Sequence, residues 1–499
     1  MRNPSFTPPN AGSDWLPKSR AKLMALAVAT CFTSAVQALP TDPTVAAGSA
    51  TFNQVGKVLN VTNSNGAIIN WNTFSIGAGE TTRFIQASAS SSVLNRVLSN
   101  DPSRIYGTLT SNGRVWLVNP AGIFVGPSGV IDAAGFVAST LNISNENFLA
   151  GRKLFDATAG AGSVINQGTI TTPSGGSVYL IAPNVSNEGI IRSPNGEVIL
   201  AAGQTVNLID SATPGVKVEI TGAEGNATNL GEIVAEAGRI GMAGVLVRNS
   251  GTINASSVVS DGGRIFLKAT GDTLVEGGRL NASSTVAKGG RIDVLGDRVA
   301  VAGSTEIDAS GATGGGYVRV GGDYQGGNPE VQNARMAYFG QDAVIKVDAT
   351  DSGDGGTAII WANDATRAYG HIYARGGANG GNGGFVENSG HDYLDFQGRV
   401  DTSAAHGRVG KLLLDPSDII IDNSTDNLAG GSFSGGWFSG ATTNATLTWT
   451  TINAQSGSLE IRTNSAGSGG NGDILINGSG SVTGPSTLTL LANRNIDFG

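Results

Sequence analysis

Paired carboxylates are the arrangement in this chain that could do hydrolytic chemistry. Asp293 with Asp297, Asp351 with Asp354, and Asp415 with Asp418 are the candidates. A glycoside-cleaving site needs two such groups facing each other across a bond, one to give a proton and one to activate water or attack. Most of these aspartates lie in or beside Gly- and Ser-rich turns, where Asp is favoured for backbone reasons, and the turn reading is preferred. His371, His391 and His406 are the only histidines, no two are four residues apart, and no Cys or His cluster has metal-ligand spacing. There is no Gly-x-Ser-x-Gly elbow with triad partners and no phosphate loop. Gly469-Gly-Asn-Gly-Asp473 is one residue short of a calcium repeat and occurs once. Asn-x-Ser/Thr triplets, as at Asn142, Asn254 and Asn281, are expected by chance in so Asn- and Ser-rich a chain. No enzyme, cofactor or metal site is expected.

The elements that carry these residues are more informative. A turn glycine followed by an alternating strand recurs as Gly176-Ser-Val-Tyr-Leu180, Gly196-Glu-Val-Ile-Leu200, Gly238-Arg-Ile-Gly-Met242 and Gly263-Arg-Ile-Phe-Leu267. It returns as Gly290-Arg-Ile-Asp-Val294, Gly316-Tyr-Val-Arg-Val320, Gly356-Thr-Ala-Ile-Ile360 and, more loosely, Gly384-Phe-Val-Glu-Asn388. One such unit cannot bury its apolar face alone, so it must stack on its neighbours.

Composition agrees. The 499 residues include 75 Gly, with 6% aromatic and 14% charged residues, against roughly 7% Gly and 25% charged in ordinary globular chains. Disorder is excluded because Val, Ile and Leu recur at period two throughout. The net charge is −8, and no Lys/Arg-rich run is present, so nucleic acid is not an expected partner. Lys18, Arg20 and Lys22 precede an apolar stretch from Leu23 to Val36, and Val36-Gln37-Ala38 offers small residues for cleavage. This reads as a secretory signal, residues 1–38, cut after Ala38; the stretch is shorter than the ~20 residues a membrane-spanning helix needs. The single cysteine, Cys31, lies within it, so cleavage would leave a mature chain without cysteine.

The repeat can be measured. Asn-x-Gly-x-Ile starts at Asn166, Asn187, Asn229 and Asn249, spacings of 21, 42 and 20, which imply a rung of about twenty-one residues with one degenerate copy. In the second half an apolar-x-Ala/Thr-Ser/Thr phrase starts at Ile253, Leu280, Ile307, Val347, Ile372 and Val400, with spacings of 27, 27, 40, 25 and 28. Rungs of this size predict a parallel β-helix rather than a propeller, whose blades need ~40–50 residues. About twenty rungs and a rod of about 90–100 Å are expected, with Asn at the corners forming hydrogen-bonded ladders. The stretch from Gly321 to Ala337, with Asp323-Tyr-Gln-Gly-Gly-Asn-Pro329 at its centre, interrupts the pattern. It reads as a skipped rung in preference to an inserted binding loop.

The region from Leu39 to about Gly151 resembles the secretion domain of the filamentous haemagglutinin family of two-partner secretion exoproteins. Its words are Ile69-Asn-Trp-Asn-Thr-Phe-Ser-Ile76 with Glu80, Phe84 and Gln86, similar to the family's cap segment, then Val93-Leu-Asn-Arg-Val97 and Ile105-Tyr-Gly-Thr-Leu109. Asn119-Pro-Ala-Gly-Ile123 stands where the family commonly has Asn-Pro-Asn-Gly-Ile, so Ala121 is a departure. The segment from Gly135 to Leu149 resembles the closing segment of the haem-scavenging and high-molecular-weight adhesin branch. Gly384 to Gly390, Val400 to Ser403 and Leu412 to Ile420 resemble weaker family phrases.

The resemblance implies an all-β chain, a right-handed parallel β-helix with an N-terminal cap. It implies a signal (1–38), a secretion domain (39–270) and a repeat stalk (271–499). It implies an adhesin-like exoprotein, exported by an outer-membrane β-barrel transporter and meeting an unknown receptor on a host or neighbouring cell. Asn95, Arg96, Asn119, Pro120, Gly122 and Ile123 are the residues it assigns to transporter recognition. Capture of a haem carrier and a toxin-delivery stalk are the alternative functions, with a polysaccharide-active enzyme below them. Leu488-Thr-Leu-Leu-Ala492 and Asn495-Ile-Asp-Phe498 read as one more rung without a polar cap, so a longer exoprotein is expected.

Overall fold

In a computed structural model of the chain, the described residues are 39–210, 216–423, 432–434, 437–439, 445–464 and 470–499. The signal segment and Ala38 lie outside them. From residue 39 onward nearly every element is a strand, and nearly every strand pairs in parallel with the one a rung above. One column of strands runs from Ala67–Trp71 through Ser92–Val97, Ser177–Ala182, Glu197–Ala202 and Arg291–Leu295 to Thr487–Leu491. Among the described residues fifteen strands stack in this column. The architecture is the right-handed parallel β-helix.

The glycine phrase explains itself in the stack. Arg239 N–H donates to Gly196 O (2.9 Å), Arg264 to Gly238 O (2.9 Å) and Arg291 to Gly263 O (3.0 Å). A Cβ on Gly238, Gly263 or Gly290 would sit 2.3, 2.3 or 2.0 Å from the glycine oxygen of the rung below. No side chain fits there, so glycine must begin each strand. The apolar residues that follow then stack in register. Val178, Val198, Ile240, Ile265, Ile292, Val318, Ala358, Val386 and Leu412 form one continuous interior column. The corner asparagines form the expected ladder. Asn166 donates to Asn187, Asn187 to Asn229 and Asn229 to Asn249, each at 2.8 Å and all fully buried.

Four expectations need correction. The stack has fifteen levels, not about twenty, and spans roughly 65–70 Å at ~4.8 Å per level. The missing residues are spent in excursions. The spacing of 42 between Asn187 and Asn229 hides no degenerate rung, because Asn184–Asn187 pairs directly with Asn226–Asn229. Ile190–Arg192 and Glu197–Ala202 stay in the stack, and the surplus residues after them leave it as a hairpin of Thr205–Asp210 and Val216–Thr221. Likewise Glu306–Asp308 pairs directly with Val344–Lys346, so the stretch after Gly321 is an inserted loop and not a skipped rung. Finally, Ile69 to Ile76 is not the cap but part of the first parallel rung, with Trp71, Phe74 and Ile76 in the interior. The cap lies before it. Thr44–Ala47 pairs antiparallel with Ala67–Trp71, and Ala50–Val55 folds antiparallel on Val58–Asn63.

Over the first rungs the strands are buried on both faces. Ile68, Leu94, Trp116, Val137, Tyr179 and Ile199 point away from the interior yet are covered by a second apolar cluster. The cover is a three-stranded antiparallel sheet, Lys153–Phe155 with the Thr205–Asp210 and Val216–Thr221 hairpin, and the short helix Asn145–Leu149. Ser144 caps that helix through Asn147 N–H (3.1 Å), and Phe148 meets Trp116 edge-on at 5.4 Å.

Candidate functional site

The residues assigned by resemblance fall at one corner of adjacent rungs. Strand Ser92–Val97 lies beside Thr108–Val118 with Arg96 opposite Val118, so Asn119 begins the turn next to Val97. Asn95 is fully buried between two tryptophans. Its Oδ1 accepts from Trp71 Nε1 (2.9 Å) and its Nδ2 donates to Trp116 O (3.3 Å). Arg96 reaches the closing segment, donating to Ile143 O (2.8 Å) and Asn145 Oδ1 (3.1 Å). Burial lowers its guanidinium pKa. Arg96 thus ties the Val93 phrase to the segment after Gly135, two words that are far apart in sequence.

Asn119-Pro120-Ala121-Gly122 is a β-turn closed by Gly122 N–H donating to Asn119 O (3.1 Å). Gly122 has φ +130°, which a side chain would strain. Asn119 is fully buried. Its Oδ1 accepts from Ala121 N–H (3.0 Å), and its Nδ2 donates to Asp101 O (2.9 Å) and Ser103 Oγ (2.9 Å). Pro120 O accepts from Gly162 N–H (2.8 Å). Ile123 is buried in a strand shared with Ser103–Ile105 and Val164–Asn166.

Of the assigned residues, Asn95, Asn119, Gly122 and Ile123 therefore build the corner from inside. What they present outward is Leu98, Asn100 and Asp101 beside the half-buried Pro120 and Ala121. Leu98 is 64% exposed. It was not singled out from the sequence, although Val97 and Leu98 are adjacent and cannot both face the interior of one strand. Ala121 stands on this surface, so the residue that departs from the family's usual Asn is one a partner could touch.

The carboxylates of these pairs are taken up by other partners. Asp293 is 1% exposed inside a strand, where it accepts from Arg264, Arg291 and Arg319. Asp297 pairs with Arg335. Asp351 and Asp354 accept from Asn379 and Asn382. Asp418 accepts the Asn471 and Asp473 N–H groups. Asp415 belongs to a different group of residues, described below. Among the described residues no three His, Cys, Asp or Glu side chains converge as metal ligands.

A glycine-lined β-helix with a two-layered first third defines a class, the β-helical exoproteins, and the comparisons give the family. Residues 35–282 match the TPS secretion domain. The crystal structure of the HMW1 secretion domain from Haemophilus influenzae is 36% identical and superposes with a TM-score of 0.68. That match covers 75% of this chain and 100% of that domain. Two heme/hemopexin-binding proteins of Haemophilus influenzae are 30% identical over 207 residues and 36% identical over 80, which is 39% and 16% of this chain. The matches span only 23% and 9% of those proteins. This chain belongs to the TPS secretion domain family, the two-partner secretion exoproteins, whose members are secreted or displayed outside the outer membrane.

Proposed function

We propose that this chain is an adhesin-like exoprotein exported by a dedicated outer-membrane β-barrel transporter, whose periplasmic domains read the corner built by Asn95, Arg96 and Asn119 to Ile123. Residues 1–38 act as the signal, 39–270 as the export domain and 271–499 as the stalk. The observation that carries this reading is the 36% identity across the whole of a known secretion domain. Export needs no ATP in this scheme, because each rung that folds outside buries apolar surface on the one before and opposes back-sliding. Contact with the transporter falls on Leu98, Asp101, Pro120 and Ala121, while Asn119 and Gly122 hold the turn in shape.

The test is secretion into medium with and without the cognate transporter, for the wild type and for a Leu98→Asp, Ala121→Asp pair. The pair is expected to export at least about tenfold less, the change that ~1.4 kcal/mol of lost binding gives, with thermal stability unchanged. Export without the transporter sinks the two-partner reading. Normal export of the pair removes this corner from it.

The 30% identity to a heme/hemopexin-binding protein favours a second reading, capture of a haem carrier. Binding of haem-loaded hemopexin to the purified chain, absent with unrelated serum proteins, would put it ahead of adhesion.

A further inference from the structure

Residues 321–333 leave the stack after Tyr317–Val320 and rejoin it at Ala334–Phe339. They lie across its side as a strap. Gly321, at φ +86°, makes the exit, and Asp323 organises the first turn. Asp323 accepts from Tyr317 OH (2.5 Å), Arg319 Nη1 (2.6 Å), Tyr324 N–H (2.9 Å) and Asn328 Nδ2 (2.8 Å). Gln325 then stands at φ +49°, a left-handed conformation that strains a residue with a side chain. From there it makes the strap's longest-range contacts. Its N–H points at both carboxyl oxygens of Glu387 (3.2 Å each) and its Nε2 donates to Asp415 Oδ2 (2.8 Å). Below, the strap rests on Trp361. A Cβ on Gly322 or Gly326 would come within 2.5 or 2.7 Å of that indole.

Glu387 is fully buried, and the charged groups acting most strongly on its carboxyl are the Asp415 and Asp323 carboxylates. The strand on one side places Ile359 beside it, and the strand on the other places Leu413. The strap brings the Asp323 carboxylate, and the chain beyond Leu414 brings Asp415. Arg319 is committed to Asp293 and Asp323, while His391 and Arg462 act on Asp415. Burial pushes the Glu387 carboxyl up to about 8, outweighing the Gln325 N–H bond that favours its ionised form and reinforced by Asp415 and Asp323, and burial raises Asp415 against the Gln325 amide as well. Closure has costs besides this one. Trp361 Nε1 beneath the strap and the strap's own Asn333 Oδ1 are buried without hydrogen-bond partners.

We propose that residues 321–333 are a proton-controlled strap, closed over the side of the β-helix while Glu387 keeps its proton and released as that proton is lost, uncovering Trp361, Glu387 and Asp415. Once water reaches it, the carboxyl returns toward its ordinary value of 4.5. Closure is then fully favoured at and below that pH. It weakens about tenfold per pH unit up to about 8, above which both states are ionised and nothing further changes. The control thus falls between an acidified and a neutral medium, independently of how the chain is exported.

The experiment is hydrogen–deuterium exchange of the intact mature chain at pH 5 and pH 7, corrected for the chemical exchange rate. Opening read at amides 325–331 is expected to rise on the order of a hundredfold in the wild type, while the interior amides of Thr357–Ala368 stay protected. Glu387→Gln, neutral at both pH values, is expected to lose the rise. Corrected strap exchange that does not change with pH in the wild type overturns the proposal, even if Glu387→Gln fails to fold. A Glu387→Gln chain that keeps the wild-type rise overturns it too. Gln325→Ala is expected to open the strap at both pH values, and a strap unaffected by that change would overturn the role given to Gln325.

Discussion

Trp71 Nε1 donates a 2.9 Å hydrogen bond to Asn95 Oδ1, and both side chains are wholly buried on neighbouring rungs. The pair joins the first parallel rung to the second, just inside the antiparallel cap. Replacing Asn95 with Ala would leave the indole N–H buried without an acceptor, a loss of about 1–3 kcal/mol. Asn95→Ala is therefore expected to lower the denaturant midpoint of the N-terminal rungs. In Trp71→Phe the second change should cost less, because the indole it would strand is gone and only the Asn95 Nδ2 bond to Trp116 O remains to be lost. A double-mutant cycle by chemical denaturation measures this, and additive single effects would refute the coupling.

The asparagine ladder makes position-dependent predictions. Asn187 accepts from Asn166 and donates to Asn229, whereas Asn249 ends the run as the acceptor from Asn229. Asn187→Ala strands a donor on one rung and an acceptor on the next. It should cost about 2–4 kcal/mol, roughly twice the 1–2 kcal/mol of Asn249→Ala, since each stranded buried group carries its own desolvation penalty. Urea unfolding of the two variants tests the ratio.

Two glycines with different surroundings separate space from conformation. Gly263 starts a strand where a Cβ would lie 2.3 Å from Gly238 O, so Gly263→Ala must push two rungs apart. Gly277 has φ +70° but nothing within 4 Å of an added Cβ. Gly277→Ala should cost about 1–2 kcal/mol of backbone strain. Gly263→Ala should cost about 3 kcal/mol or more and open the stack to protease near residue 263. Equal protease resistance in the two variants would contradict the column as described.

How much of this was legible in the sequence depends on what each residue type can report. The period-two apolar phrases and the Asn-x-Gly-x-Ile corners gave the parallel stack, because only stacking satisfies both. The number of rungs was not legible. Distance along the chain counts the Thr205–Asp210 and Val216–Thr221 hairpin as though it were a rung, since it alternates as a rung does. Only pairing shows that Asn187 meets Asn229 directly. At the corner, the identity of Asn119 and Pro120 announced a turn but not the direction of the amide. That direction is fixed by Asp101 and Ser103 on the preceding rung, which sequence spacing does not align. Glu387 sat in a phrase read as rung and turn words, and nothing local marked it, because its burial comes from a strap inserted sixty residues earlier.

The buried Arg319 gives the chain an acid-side limit opposite in sign to that of Glu387. Arg319 is 4% exposed and bridges Asp293 (2.8 Å) and Asp323 (2.6 Å). Hydrogen bonds from Tyr317, Asn328 and Tyr324, together with Arg319, outweigh burial and hold the Asp323 carboxyl well below its ordinary 3.8. A carboxyl depressed on folding contributes stability that is complete above its unfolded value and fades as pH falls through the folded one. Stability from this group should therefore be full above about pH 4 and decline only in stronger acid. Asp323→Asn is expected to flatten that acid limb while lowering stability at neutral pH. Arg319→Met, which leaves the Asp323 carboxylate without its ion-pair partner, should cost about 3–5 kcal/mol at neutral pH and less in strong acid, where that carboxylate can take up a proton. Thermal unfolding of the two variants between pH 2 and pH 7 measures these limbs. An Arg319→Met penalty that stays constant across that range would show that the loss is of packing and not of charge.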